Sequence, residues 1–120
     1  MSREALRARL GKRKTVEVES PFWGCSVTLR ELSAAEQLSL TPRADALAKK
    51  LGVPRDMTFV ILTVVSSLVD GDERVFDDDD LADVSAGDLA ELARLSEHVV
   101  ALNGSRDDPL GNSSGSPDNA

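Results

Sequence analysis

The sequence predicts an α+β domain that is mainly α-helical, with an N-terminal β-hairpin packed on a small bundle of about four to five helices. Alternating apolar and polar residues on both sides of a turn-rich stretch indicate the hairpin over 15–30. Helical spacing of apolar residues and repeated helix-capping patterns indicate helices over 33–103. Residues 15–104 therefore form a single globular domain. The polar, Ser- and Asp-containing stretch over 105–120 predicts a disordered tail.

Composition limits what the protein can be. The chain has 120 residues, so it can bury only a modest core, and with three Phe, one Trp and no Tyr that core must be mainly aliphatic. Its single Cys25 forms no internal disulfide, and the first residues lack the apolar run of a signal peptide, which together predict the cytoplasm. The most apolar segment, 57–69, is shorter than the roughly 20 residues that span a bilayer, so we expect no membrane partner.

Charge is distributed unevenly along the chain. Residues 1–14 form a basic N-terminal arm or frayed helix with a net charge of +5, and residues 70–120 carry −11, within a total of −7. The basic arm could contact nucleic acid, and a small DNA-binding regulatory protein is the alternative function. The acidic remainder of the chain would repel phosphate, so nucleic acid is disfavoured as a partner.

The hairpin prediction comes from the stretch "TVEVESPFWGCSVTLREL". Apolar and polar residues alternate in "TVEVES" and again in "SVTLREL", and "SPFWGCS" between them is rich in turn-forming residues. A two-stranded hairpin is marginally stable alone, so its apolar face must lie on helices or on another chain. Phe22 and Trp23 at the turn either cap the core or form an exposed anchor for a protein partner.

Helix boundaries can be placed after the hairpin. Ser33 stands three residues before Glu36, the spacing of a capping box. Thr41 followed by Pro42 resembles a second helix start, which predicts two short helices or one broken helix, and Gly52 ends this part. The apolar segment that follows is predicted to be a central buried helix.

The acidic residues after this segment raise the possibility of a metal site. A calcium loop that begins at Asp70 would require an acid at the fifth position and glycine at the sixth, where Arg74 and Val75 stand instead. We predict a turn over 70–72. In "RVFDDDDLADVS" the spacing of Asp77 and Asp80 favours a helix cap, because carboxylates stabilise the positive end of a helix. We therefore expect no metal and no cofactor.

The last helix is the best-defined element. Ser85 and Asp88 repeat the capping spacing, Asn103 and Gly104 mark its end, and apolar residues between them recur at helical spacing. We expect an exposed side of this helix to bind a partner together with the hairpin tip. The candidate partner-binding residues are Phe22, Trp23, Leu92, Leu95 and Val99.

Catalytic groups are few. The single His98 and the single Cys25 have no further histidine or thiol to form a metal site or a catalytic pair, and the sequence has no Gly-rich phosphate loop. These features favour a protein that acts by binding another protein, and we expect no enzyme activity.

The order of short motifs resembles that of the tail assembly chaperones of long-tailed bacteriophages and prophages. "KTVEVESPFWGCSVTLRELSAAE" resembles the family's "VEVPEWG" hairpin and the "V-R-E-L-T/S" start of its first helix. "LVDGDERVF" resembles "L-V-D-E-D-G-x-R-L-F", and "ALNG" resembles "A-L-x-L-N-G". The similarity covers about 6–104. Two departures are "SPFWGCS" in place of "PEWGG" and the Pro42 that interrupts a longer helix.

The resemblance implies a protein that binds the tape-measure protein during tail assembly and keeps it soluble. It further implies that the protein helps to recruit tail-tube subunits and is not retained in the virion. Such families often make a longer, frameshifted form of the same protein, which would be a further partner. The cytoplasm of the host bacterium is the location that the resemblance implies.

Overall fold

The computed structural model describes residues 2–104, and the predicted disordered tail over 105–120 lies outside them. The mainly helical α+β class is confirmed. The elements in chain order are α1 (Arg3–Arg9), β1 (Thr15–Ser20), β2 (Cys25–Arg30), α2 (Ala34–Leu51), α3 (Arg55–Ser67), β3 (Leu68–Asp70), β4 (Glu73–Arg74), a 3-10 helix (Asp78–Ala82) and α4 (Ala86–Gly104).

The predicted hairpin is present, but it is half of a larger sheet. Four antiparallel strands lie in the order β1-β2-β3-β4. Strand β3 pairs with β2 through Leu68 opposite Leu29 and Val69 opposite Thr28. The sequence did not indicate this strand, because Leu68 and Val69 continue the apolar run of the preceding helix. The predicted turn over 70–72 joins β3 to β4 and contains Gly71 at φ 65°, a conformation that favours glycine.

Helix α2 is continuous, so both alternatives, two short helices and one broken helix, are wrong. The Ser33 N–H donates to Glu36 Oε1 at 2.8 Å and the Glu36 N–H donates to Ser33 Oγ at 3.1 Å, which confirms the capping box. Pro42 lies inside the helix on its exposed side. A proline there costs roughly 3 kcal/mol, and burial of the opposite face, which includes Leu40 and Ala44, offsets that cost.

Two apolar clusters form the core, and α3 contributes to both. This confirms the prediction of a central buried helix. One cluster lies between the sheet, α3 and α4, and it consists of Val18, Leu29, Ile61, Val64, Val65, Leu68, Leu92, Leu95 and Val99. The other joins α2 to α3, and it consists of Leu32, Leu40, Ala44, Leu47 and Leu62.

The basic N-terminal arm contains a short helix that lies outside the core. Ser2 caps it, with its Oγ accepting the Ala5 N–H at 3.1 Å. Every residue of α1 is exposed, including Leu6 at 55%. Arg13, after α1, forms an ion pair with Glu36 of α2 at 2.8 Å.

Candidate functional site

The tip of the β1–β2 hairpin places its two aromatic residues in different environments. Gly24, at φ 72°, closes the loop by donating its N–H to Ser20 O at 2.8 Å. The Phe22 side chain is 57% exposed. Its ring covers Gly87 in the first turn of α4, where an added Cβ would lie 2.5 Å from Phe22 Cζ. Phe22 is therefore an accessible aromatic residue held against the start of a helix.

Trp23, by contrast, is fixed by the fold. Its Nε1–H donates to Asp88 Oδ1 at 2.9 Å, and its ring centroid lies 6.0 Å from that of Phe76. The bond from Trp23 is the main cause of a lowered pKa at Asp88, and bonds from Ser85 add to it. Ser85 and Asp88 also form the predicted capping box at the start of α4. Trp23 is a half-buried structural contact between the hairpin tip and α4.

The expectation that Leu92, Leu95 and Val99 form an exposed face of α4 is wrong. All three side chains are 0% exposed and belong to the core cluster between the sheet, α3 and α4. Helical spacing predicts which residues share a face of the helix, but it does not reveal whether that face lies in the core or is exposed to solvent. The exposed large apolar residues of this helix are Val100, at 66%, and Leu89, at 36%.

An apolar groove of about 390 Å³ runs between α3 and α4. We name it the α3–α4 groove. Val60 on α3, 45% exposed, and Val100 on α4 lie on its two sides. Gln37 of α2 also lines the groove, and the next residue, Leu38, is 79% exposed. Its full lining is Gln37, Phe59, Val60, Thr63, Val64, Ser96, Val99, Val100, Asn103 and Gly104. The groove can accept apolar side chains from a partner.

Two of the four consecutive aspartates, Asp78 and Asp79, form ion pairs with other parts of the chain. Asp78 accepts from Arg43 Nε at 2.8 Å and Nη2 at 2.6 Å, and from Arg74 Nη2 at 2.8 Å. The bond from Arg43, followed by that from Arg74, lowers the pKa of the Asp78 carboxyl. Asp79 pairs with Lys50 at 3.1 Å. Within residues 2–104, no group of three or more His, Cys, Asp or Glu is placed to hold a metal ion.

A short helix follows Asp77. The Asp77 N–H donates to Asp80 Oδ2 at 2.8 Å, which matches half of the predicted capping arrangement. The element after it is a five-residue 3-10 helix, so a helix begins directly after Asp77, as predicted. Asp78, at its first position, connects this short helix to α2 and β4 through Arg43 and Arg74.

Two polar residues whose long-range contacts the sequence did not predict hold distant elements together. Glu91 on α4 is 5% exposed and accepts the Ser20 hydroxyl at 2.6 Å, and Arg94 donates to both of its oxygens. Asn103 Oδ1 accepts the Leu32 N–H at 2.6 Å, and its Nδ2 donates to Val99 O at 2.9 Å. Asn103 thus joins the end of α4 to the chain just before α2.

Comparison with known proteins identified no relative of this chain. The chain matches no protein-family model, no curated protein and no solved structure. None of the helices in residues 2–104 combines the length and apolar character needed to cross a membrane.

Proposed function

We propose that this protein is a tail assembly chaperone of a long-tailed bacteriophage or prophage. It binds the tape-measure protein in the cytoplasm of the host bacterium, helps to recruit tail-tube subunits and is not retained in the virion. The ordered motifs described above support the proposal, and they fall on connected parts of the fold. "VEVESPFWG" forms β1 and the hairpin tip, "LVDGDERVF" contains β3 and β4, and "ALNG" ends α4.

The α3–α4 groove is the observation on which this proposal rests. A tape-measure protein is a long, helical chain with apolar stripes, and a helix can place such a stripe in an apolar groove between two helices. Val60 and Val100 expose apolar surface on both sides of the groove. Exposed apolar groups that line a concave surface are typical of sites that bind another polypeptide. The net charge of −7 counteracts association between copies of the chaperone.

Co-expression tests this function directly. The tape-measure protein encoded in the same tail gene cluster is expressed alone and with this chain, and its soluble fraction is measured after lysis. We expect the tape-measure protein to precipitate when it is alone and to remain soluble with the chaperone. Equal solubility in both cultures, with no complex on size-exclusion chromatography, would contradict the proposed function.

A further inference from the structure

Strand β2 has an edge that its neighbour covers only in part. All six residues of β2 pair with β1, but only Thr28 and Leu29 pair with β3. The Glu31 N–H donates to Lys14 O, and peptide groups alternate between the two edges of a strand. This alternation directs the peptide groups of Ser26 away from β1, toward the side where β3 has ended. Ser26 therefore offers a strand edge that is open within residues 2–104.

An apolar groove of about 380 Å³ lies beside this open edge. Trp23 and Phe76 line it together with Val27, and Val75, 48% exposed, gives it an accessible apolar surface. We name the open edge at Ser26 and this groove together the β2 notch. The remaining lining residues are Cys25, Thr28, Leu68, Val69 and Asp70.

The charge around the β2 notch is negative. Asp70 lines the groove, and Glu73, opposite it on β4, is exposed. The charge of Asp72 on the turn is offset by Arg30, whose Nη1 lies 3.7 Å away. No Lys or Arg is among the lining residues of this groove in the described part of the chain. The nearby Arg74 donates to Asp78, 2.8 Å away, so its charge is offset there. A cationic group is the favoured neighbour for these carboxylates.

We propose that the β2 notch binds an extended basic peptide segment of a partner protein. The segment adds a short strand beside Ser26 and places one aliphatic side chain between Trp23 and Val75. An adjacent Lys or Arg of the segment lies near Asp70 and Glu73. Main-chain bonds to an open edge supply affinity and the groove selects the side chain, as in other cases of strand addition. The open edge favours an extended chain over a helix, because a helix has no free backbone groups along its sides.

Trp23 is the single tryptophan of the chain and lines the β2 notch, so its fluorescence reports on binding. The probe is a capped six-residue peptide that alternates valine and lysine, titrated into the full chain by fluorescence and by calorimetry. Two comparison peptides replace lysine by glutamate or carry N-methyl groups on alternate amides. We expect the valine–lysine peptide to bind at least about tenfold more tightly than either. Equal binding of the N-methylated peptide, or no heat and no fluorescence change with the first peptide, would overturn the proposal.

A pair of variants locates the site. Val75→Lys places a cation in the β2 notch and should weaken binding of the valine–lysine peptide by about tenfold or more. Val100→Lys makes the same change at an exposed valine of the α3–α4 groove and should leave that binding unchanged. Equal affinities for the two variants, with circular dichroism showing both folded, would place the peptide elsewhere. Because the β2 notch and the α3–α4 groove are separate surfaces, either the peptide site or the proposed chaperone function can be disproved without affecting the other.

Discussion

The Ser20 hydroxyl at the end of β1 donates a 2.6 Å hydrogen bond to Glu91 in the second turn of α4. Both residues are buried. Arg94 extends the contact, because its Nη2 donates to Glu91 Oε2 at 2.6 Å and to Glu19 O at 2.9 Å. This polar network joins the hairpin to α4 beside the apolar core.

Loss of the Glu91 charge should destabilise the fold. Glu91→Gln keeps the size of the side chain but weakens its bonds with Arg94 and Ser20, and we expect the free energy of unfolding to fall by about 2 kcal/mol. Glu97→Gln, at an exposed position of the same helix, is the control and should change it by less than about 0.5 kcal/mol. Urea unfolding followed by circular dichroism measures both, and equal stability of the two variants would contradict a structural role for the network.

Stability should also depend on acid pH through Glu91. Hydrogen bonds from Arg94 and then Ser20 lower the pKa of Glu91 from its ordinary 4.5 to about 2. Because the pKa is lower in the folded protein, the ionised carboxylate stabilises the fold fully above pH 4.5, and this stabilisation is lost as the pH falls toward 2. Urea unfolding at a series of pH values should show a shallower decline for Glu91→Gln than for the unmodified chain. Parallel declines would exclude Glu91 as a source of the acid sensitivity.

Adjacent residues in the run of aspartates should contribute unequally to the stability of the fold. Asp78→Ala removes the shared partner of Arg43 and Arg74, and we expect a loss of about 3 kcal/mol because two partly buried cations lose their carboxylate. Asp79→Ala removes an exposed pair with Lys50 and should cost less than about 1 kcal/mol. Thermal unfolding compares them. Millimolar calcium or magnesium should leave the melting temperature unchanged, and an increase that depends on Asp78 would instead indicate a metal site.

Substitutions of the two aromatic residues at the hairpin tip should have different effects, one on partner binding and the other on the stability of the fold. Phe22→Ala truncates a side chain that is 57% exposed, so we expect it to weaken co-purification of the tape-measure protein while stability changes by less than about 1 kcal/mol. Trp23→Ala removes the bond to Asp88 and the contact with Phe76, and should lower stability by about 2 to 4 kcal/mol. Unchanged co-purification of the tape-measure protein with the Phe22→Ala variant would exclude the hairpin tip from the proposed binding surface.

Local patterns in the sequence predicted local structure well. The capping boxes at Ser33 and Ser85, the hairpin, and the turn at Gly71 each depend on residues close in the chain, and each is present. Pro42 is an exception, because burial of the rest of α2 outweighs the helix-breaking tendency of one exposed proline.

Contacts between distant residues could not be predicted in this way. Asp78 and Arg43 are separated by 35 residues, and Ser20 and Glu91 by 71. Their positions gave no periodic pattern that would bring them together. For the same reason the spacing of Leu92 and its neighbours on α4 identified a common face without showing that the sheet and α3 cover it. The candidate binding surface is therefore the adjacent α3–α4 groove and not the face formed by those buried residues.

The most direct test of the proposed function is the affinity of this protein for the tape-measure protein, measured with charged residues placed in the α3–α4 groove. The unmodified chain, the double variant Val60→Lys/Val100→Lys and the control Val53→Lys, at an exposed valine outside the groove, are titrated with the purified tape-measure protein by calorimetry. We expect the double variant to bind at least about a hundredfold more weakly, and the control to bind as the unmodified chain does. Unchanged binding by a correctly folded double variant would contradict a client site in this groove.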